Sequence, residues 1–278
     1  MLDEKTLKAR LSEIRDNNYV PPTQPEIYPL VLSMGNHIGS IDPVLRDDLI
    51  YMTLVTWISR KIFSTKELKE ILNVLLNDQH LFKGLGEKET DTVFTRSFSM
   101  LQIQALLEVH RKKAYLPHEE MHVIKQKVLR YLSQERDLRG FVPVKGWAHA
   151  IAHTADVLVE MVQCDEYNAD DLEAILAAIQ RTIVTTETVY ICEEDERLAT
   201  AVLQAWQRPE IDPEQIKTWL QGFIISLAKH LPYPGGYYQF VNSKNFLRSL
   251  YLRAVRQGRD SQFRQTIYDI MSRGFERY

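Results

Sequence analysis

The spacing of apolar residues is the feature that most constrains this fold. Along most of the chain they recur every three or four positions, which is the period of one face of an α-helix. The breaks between such segments are short. One contains the consecutive prolines Pro21 and Pro22, which cannot lie inside a helix, and another ends at a Ser64–Glu67 capping box. With only 11 glycines and 11 prolines in 278 residues, the chain resembles a helical protein more than a turn-rich β protein.

The periodicity predicts about twelve helices. They are Leu2–Arg15, Glu26–His37, Asp42–Lys61, Ser64–Asp78, Glu89–Lys113, Pro117–Glu135, Gly146–Gln163, Ala169–Glu187, Glu193–Gln207, Pro213–His230, Gly236–Gln257 and Ser261–Arg273. No convincing strand pattern is longer than Thr182–Ile191, whose Thr and Val content leaves the end of one helix open.

Five segments share a pattern at a spacing of about 50 residues. Each begins with a charged residue and soon reaches a bulky one: Asp47–Tyr51, Asp91–Thr95, Lys145–His149, Asp195–Ala199 and Lys244–Arg248. A second helix lies between successive segments, as in stacked helix pairs. The sequence therefore predicts an all-α fold: a right-handed α/α superhelix, or HEAT/ARM-like solenoid, of about five to six helix pairs in a single domain over residues 1–278.

Charge and cysteine content narrow the possible partners and location. A formal charge of −3 and a pI near 6.3 give no general attraction for nucleic acids or anionic lipids, so nucleic-acid binding is not expected. Two cysteines are too few for a disulfide framework. No apolar run approaches the ~18–20 residues of a membrane span. We expect a cytoplasmic protein that does not bind membranes, while its cofactors and oligomeric state are not specified.

The stretch from Glu135 to Asp156 is hard to explain by folding alone. On a helix, His149, His153 and Asp156 would project within roughly 60° of one another, and the flanking alanines would allow a ligand to approach. A second polar group, with two hydroxyls and a guanidinium, begins at Asp91. The candidate ligand-binding residues are Asp91, Arg96, Arg136, Asp137, Arg139, Lys145, Trp147, His149, His153 and Asp156.

Each of these residues also has a structural interpretation. His149, His153 and Asp156 have a spacing that suits a metal, but the glutamate that zinc proteases need after the first histidine is replaced by Ala150. Both histidines could instead be hydrogen-bonded core or pocket side chains. Arg96 could bind an anion at a helix start, or pair with a carboxylate such as Asp137 or Asp156.

The remaining candidates are open to the same two interpretations. The charged run from Glu135 to Arg139 could be a solvated surface or a structural contact between repeats. Trp147 could pack between repeats or form the apolar wall of a site.

Two motifs resemble an uncharacterised bacterial family, domain of unknown function 2785. They are D-T-V-F-T-R-S-F-S at Asp91–Ser99 and E-R-D-L-R-G-F-V-P-V-K-G-W-A-H-A-I-A-H-T-A-D at Glu135–Asp156. The stretch R-D-D-L-I-Y at Arg46–Tyr51 is also similar. The resemblance implies a bacterial, cytoplasmic protein, and it brings no established activity, substrate or cofactor.

Three functional hypotheses follow. The first is a binding module with a polar concave pocket for an anionic small molecule or an acidic peptide, with Arg96, Arg139 and Lys145 as anion contacts and Trp147 or Tyr237 as the apolar wall. The second is a hydrolase that uses His149 or His153 as general base, with or without a metal. The third is a protein-interaction scaffold without a small-molecule site. Whether the protein is an enzyme is left open.

Overall fold

The computed structural model describes residues 2–227, 231–259 and 261–275 of the chain. In the described residues the helices are α1 Glu4–Asp16, α2 Ile27–Asn36, α3 Met52–Ser59, α4 Thr65–Leu75, α5 Thr92–Lys112, α6 His118–Gln134, α7 Ala150–Met161, α8 Ala169–Ile183, α9 Glu194–Ala205, α10 Pro213–Leu227, α11 Gly235–Arg256 and α12 Ser261–Gly274. A π-helical segment, Val44–Tyr51, runs directly into α3. Two short strands, β1 Phe141–Val142 and β2 Gly146–Trp147, form an antiparallel hairpin. The predicted all-α class is confirmed.

Local sequence explains several helix boundaries. The predicted capping box at Ser64 and Glu67 is confirmed, and Asn168 with Asp171 forms a second one at the start of α8. Helix α8 ends at Ile183, and Thr185–Ile191 forms no strand. The predicted end of α10 at His230 lies outside the described residues.

The chain divides into two compact units, residues 1–157 and 158–278. In the first unit, α3 and α4 both pack on α5, which is buried almost all the way round. In the second unit, α11 packs on α9 and α12, around aromatic side chains that include Trp219, Phe223 and Phe246. Contacts between helices that follow closely in sequence suit the predicted stacking of helix pairs. The single domain and the HEAT-like solenoid stay predictions.

One close approach in the first unit requires a glycine. A Cβ atom on Gly39, which follows α2, would lie 2.0 Å from Thr95 Oγ1 and 2.7 Å from the Thr95 main-chain nitrogen. The end of α2 can therefore rest directly on the first turns of α5. This contact helps fix the position of α5, the helix that carries Arg96.

The predicted helix start at Gly146 is wrong. Gly146, Val144 and His149 have φ values of +79°, +70° and +50°, which no helix tolerates, and α7 begins only at Ala150. The segment Lys145–His149 is thus a strand and a turn instead of a helix start. Similarly, Asp47–Tyr51 belongs to the π-helical segment.

Within the described residues, no helix has the length and apolar character needed to cross a membrane.

Candidate functional site

All ten candidate residues belong to the first unit, and the structure places most of the charged ones in ion pairs. Arg96 and Glu135 are completely buried and form a bidentate pair, with Nε to Oε2 at 2.8 Å and Nη2 to Oε1 at 2.9 Å. Arg96 Nη1 also donates to the carbonyl oxygens of Lys83 and Gly84 and to Thr92 Oγ1. Burial alone would lower the pKa of Arg96, but its hydrogen bonds to Glu135 and the attraction of that carboxylate together outweigh burial and raise the pKa.

The burial of Arg96 favours the ion-pair interpretation over the anion site. An anion arriving from solvent cannot reach this guanidinium without displacing Glu135. Glu135 also accepts hydrogen bonds from the main-chain N–H groups of Arg136 and Asp137, at 2.9 Å each. The pair therefore joins α5 to the segment that follows α6. The predicted partners Asp137 and Asp156 are replaced by Glu135.

Two further ion pairs neutralise Arg139 and Lys145. Arg139 donates to both carboxylate oxygens of buried Asp137, at 2.8 and 2.6 Å, and to the carbonyl oxygen of Thr90. Lys145 Nζ lies 2.7 Å from Asp91 Oδ1 at the start of α5, and both side chains are partly exposed. Exposed Arg136 donates to main-chain carbonyl oxygens. Among the predicted cations, it is Arg136 whose charge remains most available to solvent.

The two histidines form a buried aromatic stack. The His149 ring lies 4.2 Å from the Trp147 ring, nearly parallel to it, and is perpendicular to the His153 ring at 5.5 Å. His153 packs edge-on against Phe98, and its Nδ1–H donates to the carbonyl oxygen of Ser97 at 3.1 Å. Both histidines are buried. The left-handed backbone of His149 places it before α7, so the predicted common helical face is wrong although the rings still meet.

This arrangement does not favour a metal site at His149, His153 and Asp156, which the sequence offers only as a weak candidate. Among the described residues, His149, His153 and Asp156 are not a group whose ligand atoms all lie within 4.8 Å of one another. Asp156 is partly exposed on α7. One imidazole nitrogen of His153 is already committed to a carbonyl oxygen, and a metal ligand needs a free lone pair.

Sequence reasoning missed Arg46, which holds the hairpin in place. This guanidinium is fully buried, 4.3 and 4.6 Å from the ring centres of Phe94 and Phe98. It donates to the carbonyl oxygens of Ser40, Lys145 and Trp147, at 2.7, 2.8 and 3.4 Å. Two of these acceptors lie on or next to β2. The available signal was an Arg-Asp pair interrupting an apolar helical pattern, in the stretch Arg46–Tyr51.

Asp47 was also missed and has an altered pKa. Burial raises the pKa of this carboxyl group to about 6, although its contact with Arg46 Nε at 2.8 Å opposes the shift. A Cβ atom on Gly146 would lie 3.7 Å from Asp47 Oδ2, so the carboxyl group is next to the hairpin. Residues of π-helical segments are frequently found at functional sites.

The hairpin exposes an apolar surface. Phe141, Val144 and Trp147 are 55%, 92% and 42% exposed, and the Phe141 and Trp147 rings meet edge to face at 5.0 Å. The opposite side of the hairpin is anchored, because Val142 packs against a buried cluster that includes Phe94 and Ala148. We call Phe141, Val144 and Trp147 the hairpin surface.

The hydrogen-bond register leaves one edge of the hairpin open. The Ala148 N–H donates to the Gly140 carbonyl at 2.7 Å, which makes Phe141 and Trp147 a non-hydrogen-bonded pair. Their main-chain groups therefore point away from the partner strand. On the β2 side Arg46 caps the Trp147 carbonyl. On the other side of β1, the structure describes no third strand next to Phe141.

The backbone of the hairpin is strained where it is most exposed. Val144 has φ +70°, a left-handed conformation that a β-branched side chain strongly disfavours. Such strain costs of order 1–3 kcal/mol and concentrates at functional sites. Neither burial nor packing explains a valine at this position, since its side chain is almost fully exposed.

Comparisons with known proteins locate these features within one family. No curated protein and no solved structure matches the chain. A family described as "Protein of unknown function (DUF2785)" matches residues 81–252, more than half of the 278 residues. The match includes the Arg96–Glu135 pair, the hairpin and both histidines, whereas Arg46 and Asp47 precede it. The chain therefore belongs to this family of proteins of unknown function.

Proposed function

We propose that this protein is an interaction module that binds an extended peptide segment of a partner protein at the open edge of β1. The proposal rests on the main-chain N–H and C=O groups of Phe141, which point away from β2. They lie next to the exposed aromatic pair of Phe141 and Trp147. An extended peptide can add a strand to such an edge. Its main chain then supplies affinity, and its alternate side chains supply specificity.

The anchoring of the hairpin supports this proposal. Arg46 closes the β2 edge and partly buried Val142 packs against the core, so a peptide has one edge to pair with and an anchored surface to meet. A rigid site loses little conformational entropy on binding. Phe141 and Trp147 offer the kind of aromatic contact that dominates binding energy in protein interfaces. We expect the peptide to present apolar side chains to the hairpin surface.

An acidic peptide is favoured over a small anion. Arg136, five residues before Phe141, is exposed and bonds only to carbonyl oxygens in its described contacts. A carboxylate beside the added strand could pair with it. A small anion has less support, because Arg96, Arg139 and Lys145 already contact carboxylates. General-base catalysis by His149 or His153 has less support too, since both rings are buried in the aromatic stack.

A displayed library of random peptides tests the proposal directly, because it needs no identified partner. We expect selection on the full chain to enrich peptides with alternating apolar residues and nearby Asp or Glu. Val144→Ser and Phe141→Ala should each weaken binding of the selected peptides by about tenfold or more, which corresponds to about 1.4 kcal/mol of binding free energy. Because Val144→Ser changes only an exposed side chain, we expect the fold to be retained.

A matched control separates this site from general stickiness. Ile191 is also apolar and highly exposed but lies in the second unit, and Ile191→Ser should leave binding unchanged. Selection of no peptide, or of peptides that bind all variants equally, would overturn the proposal. The cytoplasmic location, and the expectation that the protein does not bind nucleic acid, remain predictions.

A further inference from the structure

Helix α11 in the second unit has an unusual charge composition. Its 22 residues, Gly235–Arg256, contain four Lys or Arg and no Asp or Glu, although the whole chain has a net charge of −3. An average helix of this length would carry both signs, because charged residues of both kinds are common in soluble proteins. The helix is therefore a local basic element in a mildly acidic protein.

Helices α9 and α12 pack on two sides of α11, which also contacts α8 and α10. On the α9 side, Arg253 Nε lies 2.5 Å from Glu196 Oε2, and Ser249 Oγ donates to Asp195 Oδ2 at 3.1 Å. On the α12 side, the rings of Tyr251 and Tyr268 lie 6.4 Å apart. Core residues such as Phe246, Leu247 and Leu250 are buried between them. The acidic groups that α11 meets through these described contacts are therefore on its α9 side.

A third side of α11 carries exposed residues along the helix, with Val241 and Lys244 half-buried among them. Its residues follow one another at spacings of four, three, four, four and three, and project within roughly 80° of one another. They are Tyr237, Val241, Lys244, Arg248, Leu252 and Val255, which we call the α11 face. Leu252 and Val255 are 55% and 40% exposed, and Tyr237 and Arg248 are exposed as well. The face spans about 27 Å at 1.5 Å per residue.

The cations of the α11 face are not neutralised by the described residues. Arg248 forms no ion pair within the part of the chain that the structure describes. Lys244 lies over the Phe240 ring, 5.0 Å from its centre, and not against a carboxylate. The two cations lie at the middle of the face, with Tyr237 and Val241 on one side and Leu252 and Val255 on the other.

We propose that the α11 face binds an acidic amphipathic helix of a partner protein. The alternating three- and four-residue spacing is the one by which two helices pack along their length. Carboxylates at the centre of the partner helix would pair with Lys244 and Arg248. Apolar side chains near one end of that helix would pack on Leu252 and Val255. The α11 face belongs to the second unit and shares no residue with the hairpin, and the proposal does not rest on the peptide-binding function.

A designed peptide provides the probe. It has three heptads, with Leu at positions that face the apolar residues of the α11 face and Glu at positions that face Lys244 and Arg248. A second peptide has Lys in place of each Glu. Fluorescence anisotropy with the full chain should show binding of the Glu peptide and no binding of the Lys peptide. Binding of the Glu peptide should weaken at high salt, because ions screen the attraction between its carboxylates and the cations of the α11 face.

Variants make the test specific to this face. Arg248→Glu and Leu252→Ser should each weaken binding of the Glu peptide by about tenfold or more. Arg248→Glu should also bind the Lys peptide more tightly than wild type does. Lys66→Glu, at a highly exposed position of α4, is the control for net charge and should have little effect. Phe141→Ala should leave binding of the Glu peptide unchanged, because Phe141 is not part of the α11 face.

Three results would overturn the proposal. The first is the absence of any binding of the Glu peptide at low salt. The second is equal binding by wild type, Arg248→Glu and Leu252→Ser. The third is binding of phosphatidylserine vesicles that both variants abolish while the peptide does not bind, which would identify a membrane surface as the occupant.

Discussion

Glu135→Gln tests whether the Arg96–Glu135 pair is structural. The substitution keeps the side-chain shape and leaves the Arg96 charge buried without its counter-ion. Breaking a buried ion pair in this way typically costs about 3–5 kcal/mol. Arg96 keeps its bonds to Lys83, Gly84 and Thr92, and the Gln oxygen can still accept one hydrogen bond. We therefore expect a loss in the free energy of unfolding of about 3 kcal/mol, at the lower end of that range.

Urea denaturation followed by circular dichroism measures this loss. With a slope of about 2 kcal/mol per molar urea, the midpoint should fall by about 1.5 M. Glu119→Gln, at an exposed position on α6, is the matched control and should change stability by less than about 0.5 kcal/mol. A loss below about 1 kcal/mol for Glu135→Gln would refute the structural role and make Arg96 a candidate ligand contact again.

Three other substitutions test separate parts of the account. Val144→Gly should raise the free energy of unfolding by about 1 kcal/mol, because it relieves the strain of the left-handed backbone at this residue. The same substitution should weaken binding of the selected peptides. Unchanged stability in thermal unfolding would contradict the assigned strain. Because burial raises the pKa of Asp47 to about 6, its ionised form destabilises the fold, so wild type should lose stability relative to Asp47→Asn as pH rises from about 4 through 6. Parallel stability curves for the two proteins across that range would contradict the shift. Gly39→Ala should lower the free energy of unfolding by about 1–3 kcal/mol, because the added Cβ would overlap Thr95. Gly35→Ala in α2, where the nearest atom would lie 3.8 Å from the added Cβ, should be neutral or stabilising. Equal effects of the two substitutions in urea denaturation would contradict the close approach.

The helices could be predicted from sequence because their signals are local. Apolar spacing and caps such as Ser64–Glu67 depend on residues close together in the chain, so each predicted helix has a counterpart. The hairpin could not be predicted in this way. Val144 and His149 have positive φ values that their residue types disfavour, and tertiary contacts such as the Arg46 bonds hold them there.

The polar residues were recognised from sequence, but their partners were not. The sequence identifies the stretch from Glu135 to Asp156 as polar and unusual, and its residues do lie together with Asp91 and Arg96. It does not show that Glu135 takes Arg96 as its partner, 39 residues away, or that Arg46 reaches the hairpin. Long-range pairings of this kind are set by the packing of whole helices, which local spacing does not encode.

Amide hydrogen exchange at Phe141 tests the central claim most directly. The Phe141 N–H points away from β2, so we expect it to exchange rapidly in the free protein and to become protected when a selected peptide adds a strand to β1. Phe141→Pro, which lacks this N–H but breaks no bond between β1 and β2, should bind more weakly than Phe141→Ala. A Phe141 amide that exchanges at the same rate with and without saturating peptide would contradict the account.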